Sequence, residues 1–188
     1  MNDQELISAI SKGDQKAFRL LVNTYKKSVH NTVLGFLQHA ENAEEVTQDV
    51  FVKVFDTIGN FKNESKLSTW IYRISVNQSL DFLRRAKRKK RFGLFTSIFN
   101  DDNEAIHQPV NFEHPGVVLE NKEKAVILFK AIARLPDNQK TAFLLQKIEN
   151  CSQQKIAEIM QISEGAVESL LSRAKSNLKK LLINYYSL

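Results

Sequence analysis

A chain of 188 residues is long enough for one or two domains with a sizeable core, and 43% apolar with 26% charged residues is the balance of a folded protein. Six glycines and three prolines argue against collagen-like and turn-rich β-sandwich folds, and a single cysteine, Cys151, excludes an internal disulfide framework or a cysteine-based zinc site. The net charge of +6 suits an anionic partner without naming one. No apolar run approaches the roughly 18 residues of a bilayer crossing, and Met1 to Ile10 is polar and acidic, so we expect no direct membrane insertion and a cytoplasmic location.

From the N-terminus, Leu6, Ile7, Ile10, Phe18, Leu21 and Val22 recur at three- and four-residue steps, and Val29, Val33, Phe36 and Leu37 continue the period. No stretch alternates apolar and polar residues at hairpin spacing, so the fold class is predicted to be all-α. Ala43 to Ile58 reads as an amphipathic helix with a buried stripe of Val46, Val50, Phe51, Val54, Phe55 and Ile58. Its opposite face carries Glu45, Gln48, Asp49, Val52 and Asp56, a pattern that fits a basic protein surface or a merely solvated helix.

A polar loop, Phe61 to Lys66, precedes a helix predicted over Leu67–Arg88. Leu67, Trp70, Ile71 and Ile74 cover one side of this helix, and Tyr72, Val76, Leu80 and Leu83 another. The remaining strip holds Arg73, Asn77, Asp81, Arg84 and Arg88, within a narrow sector at about 3.6 residues per turn. Aromatic rings beside cations suit single-stranded nucleic acid, since bases stack on rings while cations hold phosphates. Taken singly, Phe61 and Trp70 fit a core better than a base platform, and the charge run from Arg84 to Arg91 fits a solvated helix end.

Residues 93–120 change character, with Asn100-Asp101-Asp102-Asn103-Glu104, Pro109, Pro115 and Gly116, although Phe92, Leu94, Phe95, Ile98 and Phe99 could dock elsewhere. The helical period returns from about 121. The expected organisation is two small helical domains, 1–92 and 121–188, joined by a linker over 93–120.

In the second domain Pro136 opens a helix that stops near Asn150, a residue type that tolerates a left-handed end. Ser152 is a natural N-cap for a short helix, Gln153 to Met160, with Ile156, Ala157 and Met160 inward. After a turn at Gln161-Ile162-Ser163, Ser163 caps a longer helix that buries Val167, Leu170, Leu171, Ala174 and Leu178. Two helices about a short turn, with small Ala157 at their crossing, fit a DNA-binding helix-turn-helix and also an αα-hairpin of a bundle. On the first reading Glu164, Glu168, Ser169, Ser172, Arg173 and Lys175 face the major groove.

Nothing indicates catalysis. His30, His39, His107 and His114 are scattered, and there is no metal spacing, phosphate loop or nucleophile motif, so no catalytic residue, metal or cofactor is expected.

Taken together, four blocks resemble the extracytoplasmic-function (group 4) sigma factors of bacterial RNA polymerase: Ala43–Phe51; Ser68–Ile74 with Asn77, Asp81, Arg84 and Arg85 behind; Leu135-Pro136; and Ile156–Met160 through Ile162–Val167. The resemblance implies a region 2 module tethered to a region 4 module. It implies that the strip around Glu45, Gln48, Asp49 and Phe51, with Val52, binds the β′ clamp helices of the polymerase core, whereas the residue pattern itself makes Phe51 core support, and that region 4 also meets the β flap. Phe61, Asn63, Lys66, Ser68, Thr69, Trp70 and Arg73 would capture unpaired −10 bases, with Asn77, Arg84, Arg85 and Arg88 beside the duplex edge. Ser163, Glu164, Glu168, Ser169, Ser172, Arg173 and Lys175 would read the −35 element, so promoter DNA is an implied partner. Such factors are often held inactive by an anti-sigma factor, a further implied partner. Two departures stand out. Gln161 replaces the family's usual turn glycine, where a left-handed residue costs about 1 kcal/mol, so a different turn is expected. Glu168 and Leu170 stand where basic residues are common, while Arg173 and Lys175 are retained. Two alternatives remain from the residues alone. A helix-turn-helix regulator acting without core polymerase leaves the acidic helix and residues 61–73 without a role. A helical scaffold would bury the basic strip.

Overall fold

The computed structural model describes residues 2–96 and 122–186, with side chains for 2–89 and 124–183. Every regular element among them is helical. α1 (Asp3–Ser11) opens with a capping box: the Glu5 backbone N–H donates to Asn2 Oδ1 at 2.8 Å, and the Asn2 N–H to Glu5 Oε2 at 3.0 Å. Gly13, at φ +86°, makes the tight turn into α2 (Gln15–Leu37), where the Asp14 carboxylate accepts the Lys16 and Ala17 N–H groups. α3 (Ala40–Thr57) runs into a 3₁₀ turn, Ile58–Asn60, and α4 (Leu67–Thr96) follows.

Period-3.6 patterning gives each of α2, α3 and α4 an apolar face toward the first core, and these faces meet. Leu21, Val29, Val33, Val46, Val50, Val54, Ile58, Leu67 and Ile71 close the first core. α5 (Lys122–Ala133), α6 (Asp137–Lys147), α7 (Gln153–Met160) and α8 (Glu164–Tyr186) enclose a second core around Ile132, Leu145, Ile156, Val167 and Ala174.

The two cores are not held apart. The second apolar face of α4 (Tyr72, Val76 and Leu80), joined by Phe36, packs into the C-terminal core. The expected pair of modules on a tether is therefore a packed pair in this conformation. The physical reason is that a helix apolar on two sides needs two partners, and α4 leaves its second face uncovered by the first module.

Other expectations are adjusted. α4 continues past Arg88 to Thr96, into the stretch assigned to the linker; the rest of that linker, 97–120, lies outside the described residues, as do the side chains of Phe92, Leu94, Phe95, Ile98 and Phe99. Phe55 does not belong to the buried stripe of α3. It is 44% exposed at the stripe's edge and leans on Phe18, with ring centroids 4.9 Å apart. Pro136 is the N-cap of α6 rather than inside its first turn. Gln161 takes the left-handed conformation after all (φ 57°, ψ 45°), so the turn keeps the geometry that glycine usually supplies. Its backbone N–H reaches the Ala157 carbonyl, which closes the last turn of α7 despite the strain.

Candidate nucleic-acid and polymerase interfaces

Three exposed surfaces carry the predicted site residues. The first is the outer face of α3. Val46, Val50 and Val54 fix its inward side, which turns Glu45, Gln48, Asp49 and Val52 to solvent; Val52 is 59% exposed. Phe51 is buried, as core support requires. The exposed Phe55 lengthens the apolar part of this face by one turn, a contribution that its place in an apolar period concealed.

The second surface is the loop before α4 and that helix's first turns. Asn63 sits at φ 57°, and Asn63 and Lys66 are exposed. Phe61 and Trp70 are half-buried and lie against each other, centroids 5.3 Å apart, each with one face on the first core. Ser68 is half-buried, and Thr69 is only 1% exposed, so its side chain belongs to the interior rather than to this surface. Arg85 and Arg88 are exposed, and the Arg85 Nε–H donates to the Asp81 carbonyl at 3.4 Å.

The third surface is α8. The Ser163 hydroxyl accepts the Ala166 N–H at 3.2 Å, and Ser152 does the same for Lys155 in α7, so both helices of the pair are capped as their sequences predict. Val167, Leu171, Ala174 and Leu178 point inward. Ser163, Glu164, Glu168, Ser169, Ser172, Arg173 and Lys175 are all exposed. A helix sealed in a core could read no base edge; α8 is open along its polar side.

Part of the basic strip of α4 is engaged by the second module. Arg73 donates Nε at 3.0 Å and Nη2 at 2.6 Å to the Glu158 backbone carbonyl. That carbonyl lies in the last turn of α7, where helical carbonyls lack intrahelical donors and the dipole is negative, so the guanidinium acts as its cap. Arg84 pairs with Asp81 at 3.2 Å and faces Asp137 of α6 at 3.8 Å. Asn77 remains exposed beside a cleft of about 140 Å³ that Arg73, Val76, Leu80, Asn138 and Gln161 also line. A cleft of that size falls short of the roughly 300 Å³ typical of small-molecule sites.

The seam has its own polar centre, which sequence reading missed. The Tyr72 hydroxyl donates to Glu149 Oε2 at 3.1 Å, the Lys155 ammonium lies 4.8 Å from the Tyr72 ring centroid, and Gln38 Nε2 donates to the Phe129 carbonyl at 2.9 Å. Glu149 Oε1 is buried with no hydrogen-bond partner. Burial raises the Glu149 pKa above the usual carboxylate value, against the opposing pull of Tyr72, Thr32 and Lys155. Burial likewise pushes up the Tyr72 hydroxyl and the Cys151 thiol, in both cases helped by the Glu149 charge. Lys140, also buried, has its pKa lowered, chiefly by desolvation. The one available sequence signal was the unassigned apolar face of Tyr72, Val76 and Leu80.

The family described as Sigma-70 region 2 matches residues 21–89, and Sigma-70 region 4 matches 125–178. The RNA polymerase sigma-H factor of Pseudomonas aeruginosa is 31% identical over 96% of this chain and 93% of its own length. The chain belongs to the extracytoplasmic-function sigma factors of the sigma-70 family. The ECF sigma-E factor of Escherichia coli K12 is 30% identical over 93% of this chain and 91% of its own. Two solved structures share the fold: CnrH, in complex with the cytosolic domain of CnrY (TM-score 0.66, 23% identity, 96% of each chain), and the Bartonella quintana sigma factor RpoE with the anti-sigma factor NepR (0.62, 22%, 89% of this chain and 97% of that one). In this sigma factor the region 2 match falls within α2–α4 and the region 4 match within α5–α8.

Proposed function

We propose that this sigma factor binds bacterial RNA polymerase core through the outer face of α3 and directs it to promoters. In this reading α8 reads the −35 duplex, and the 61–73 segment captures the melted −10 strand, with Asn77, Arg84, Arg85 and Arg88 beside the duplex edge. The observation that carries it is the open polar face of α8 on the same chain as the exposed acidic strip of α3. Capture favours the open complex by differential binding: unstacked bases meet the loop and its flanking cations, while paired bases do not. Bond making and breaking remain with the polymerase; no residue of this chain is assigned a chemical step. Among the described residues no helix is long and apolar enough to cross a membrane, which accords with a cytoplasmic partner of the polymerase. An anti-sigma factor is a proposed further partner, since RpoE of B. quintana was solved with one.

Run-off transcription tests the reading. Core polymerase with this protein should initiate at a cognate promoter selected from its own genome, and core alone should not. A protein that binds promoter duplex but yields no transcript with core would be a regulator of the ordinary helix-turn-helix kind.

A further inference from the structure

The seam between the modules is built from mismatched parts. Its apolar component (Phe36, Val76 and Leu80 against the second core) favours closure. Its polar centre opposes closure, because the Glu149 carboxylate enters the seam with Tyr72 as its hydrogen-bond donor and leaves Oε1 buried and unpartnered. Closure also occupies Arg73, whose guanidinium caps α7 through the Glu158 carbonyl. That carbonyl, at the negative end of a helix, offers Arg73 what a nucleic-acid phosphate would offer: an oxygen acceptor bearing partial negative charge.

We propose that the seam is a built-in latch, in which the α7 C-terminus substitutes for phosphate at Arg73 and the half-satisfied Glu149 carboxylate sets how readily the modules part. The proposal rests on the reading of the α4 strip as a nucleic-acid surface. Replacing the carboxylate by an amide removes the desolvated charge and adds donors, so Glu149→Gln tightens the seam. Removing the donor strands the whole carboxylate, so Tyr72→Phe loosens it. An unsatisfied buried acceptor shifts such an equilibrium by about five- to hundredfold. The groups facing Glu149 are Tyr72, Lys155, Cys151 and the hydroxyl of Thr32, while the Ser28 hydroxyl faces Tyr72. Among these only Lys155 lends the carboxylate positive charge, and that charge is shared with the Tyr72 ring.

The test uses the full chain, in a Cys151→Ser background, with dyes on cysteines placed at the exposed Lys27 and Lys147. Single-molecule energy transfer counts closed and open molecules, and circular dichroism checks that each variant folds. Anisotropy of a labelled oligothymidine strand reads access to the basic strip. Tyr72→Phe should raise the open:closed ratio by at least about fivefold and tighten oligothymidine binding in step, and Glu149→Gln should move both the other way. Equal populations in wild type and both variants, or populations that shift with no change in binding, would overturn the latch. Should Glu149→Gln fail to fold, Tyr72→Phe alone decides, since it removes one oxygen atom and no packing volume. Run-off transcription by the wild-type protein stands apart: its failure with the population shifts intact would sink the promoter reading and leave the closure equilibrium in place.

Discussion

The α4 strip makes a quantitative prediction through Arg84 and Arg85. The Arg84 side chain is 57% exposed, and its partner Asp81 equally so; the pair is 3.2 Å long, with Asp137 at 3.8 Å. An exposed pair of this kind contributes about 0.2–1 kcal/mol, so Arg84→Ala with Arg85→Ala should leave the fold intact. On promoter DNA the effect is larger. Each phosphate that is no longer neutralised takes about 0.9 from the slope of log K against log salt, so the double variant should lower the slope by about 1.8. The assay is anisotropy of a labelled promoter fragment with holoenzyme over a potassium chloride series. Asp81→Asn serves as the opposite control: it frees Arg84 from its nearest carboxylate and should raise affinity without lowering the slope. An unchanged slope in the double variant, with circular dichroism unchanged, would remove this strip from the DNA interface.

Asp49→Lys reverses charge on the exposed face of α3 without touching the core, and should abolish co-purification with core polymerase while melting as wild type does. Gln161→Gly relieves a left-handed side-chain residue and should stabilise the chain by about 1 kcal/mol in urea melts. Ile156→Ala empties a site of 0% exposure beneath the helix-turn-helix and should cost about 2–5 kcal/mol, lowering −35 binding through the fold. The seam should also respond to pH. Burial raises the Glu149 pKa above its ordinary value of 4.5, so the closed form binds a proton that the open form releases. Closure is therefore favoured below that ordinary value and is lost progressively as pH rises through the raised one, which energy transfer between the modules would follow.

The helices were legible in the chain itself, because apolar residues at three- and four-residue steps and capping residues such as Asn2, Asp14, Ser152 and Ser163 act within a few positions of each other. So were the sides of α3 and α8 that reach solvent, since Val46–Val50–Val54 and Val167–Leu171–Ala174 leave one direction for the charged residues. Edges of those stripes were less legible: Phe55 shares the apolar period yet stands outside, and Thr69 has a polar side chain yet lies within, because neighbouring helices set how far a stripe is covered. Long-range packing alone brought the second face of α4 onto α7, with Arg73 engaged at the Glu158 carbonyl and Glu149 trapped under Tyr72. Those partners lie 77 and 85 residues apart in the chain, and no local period encodes the meeting of two surfaces so distant in sequence.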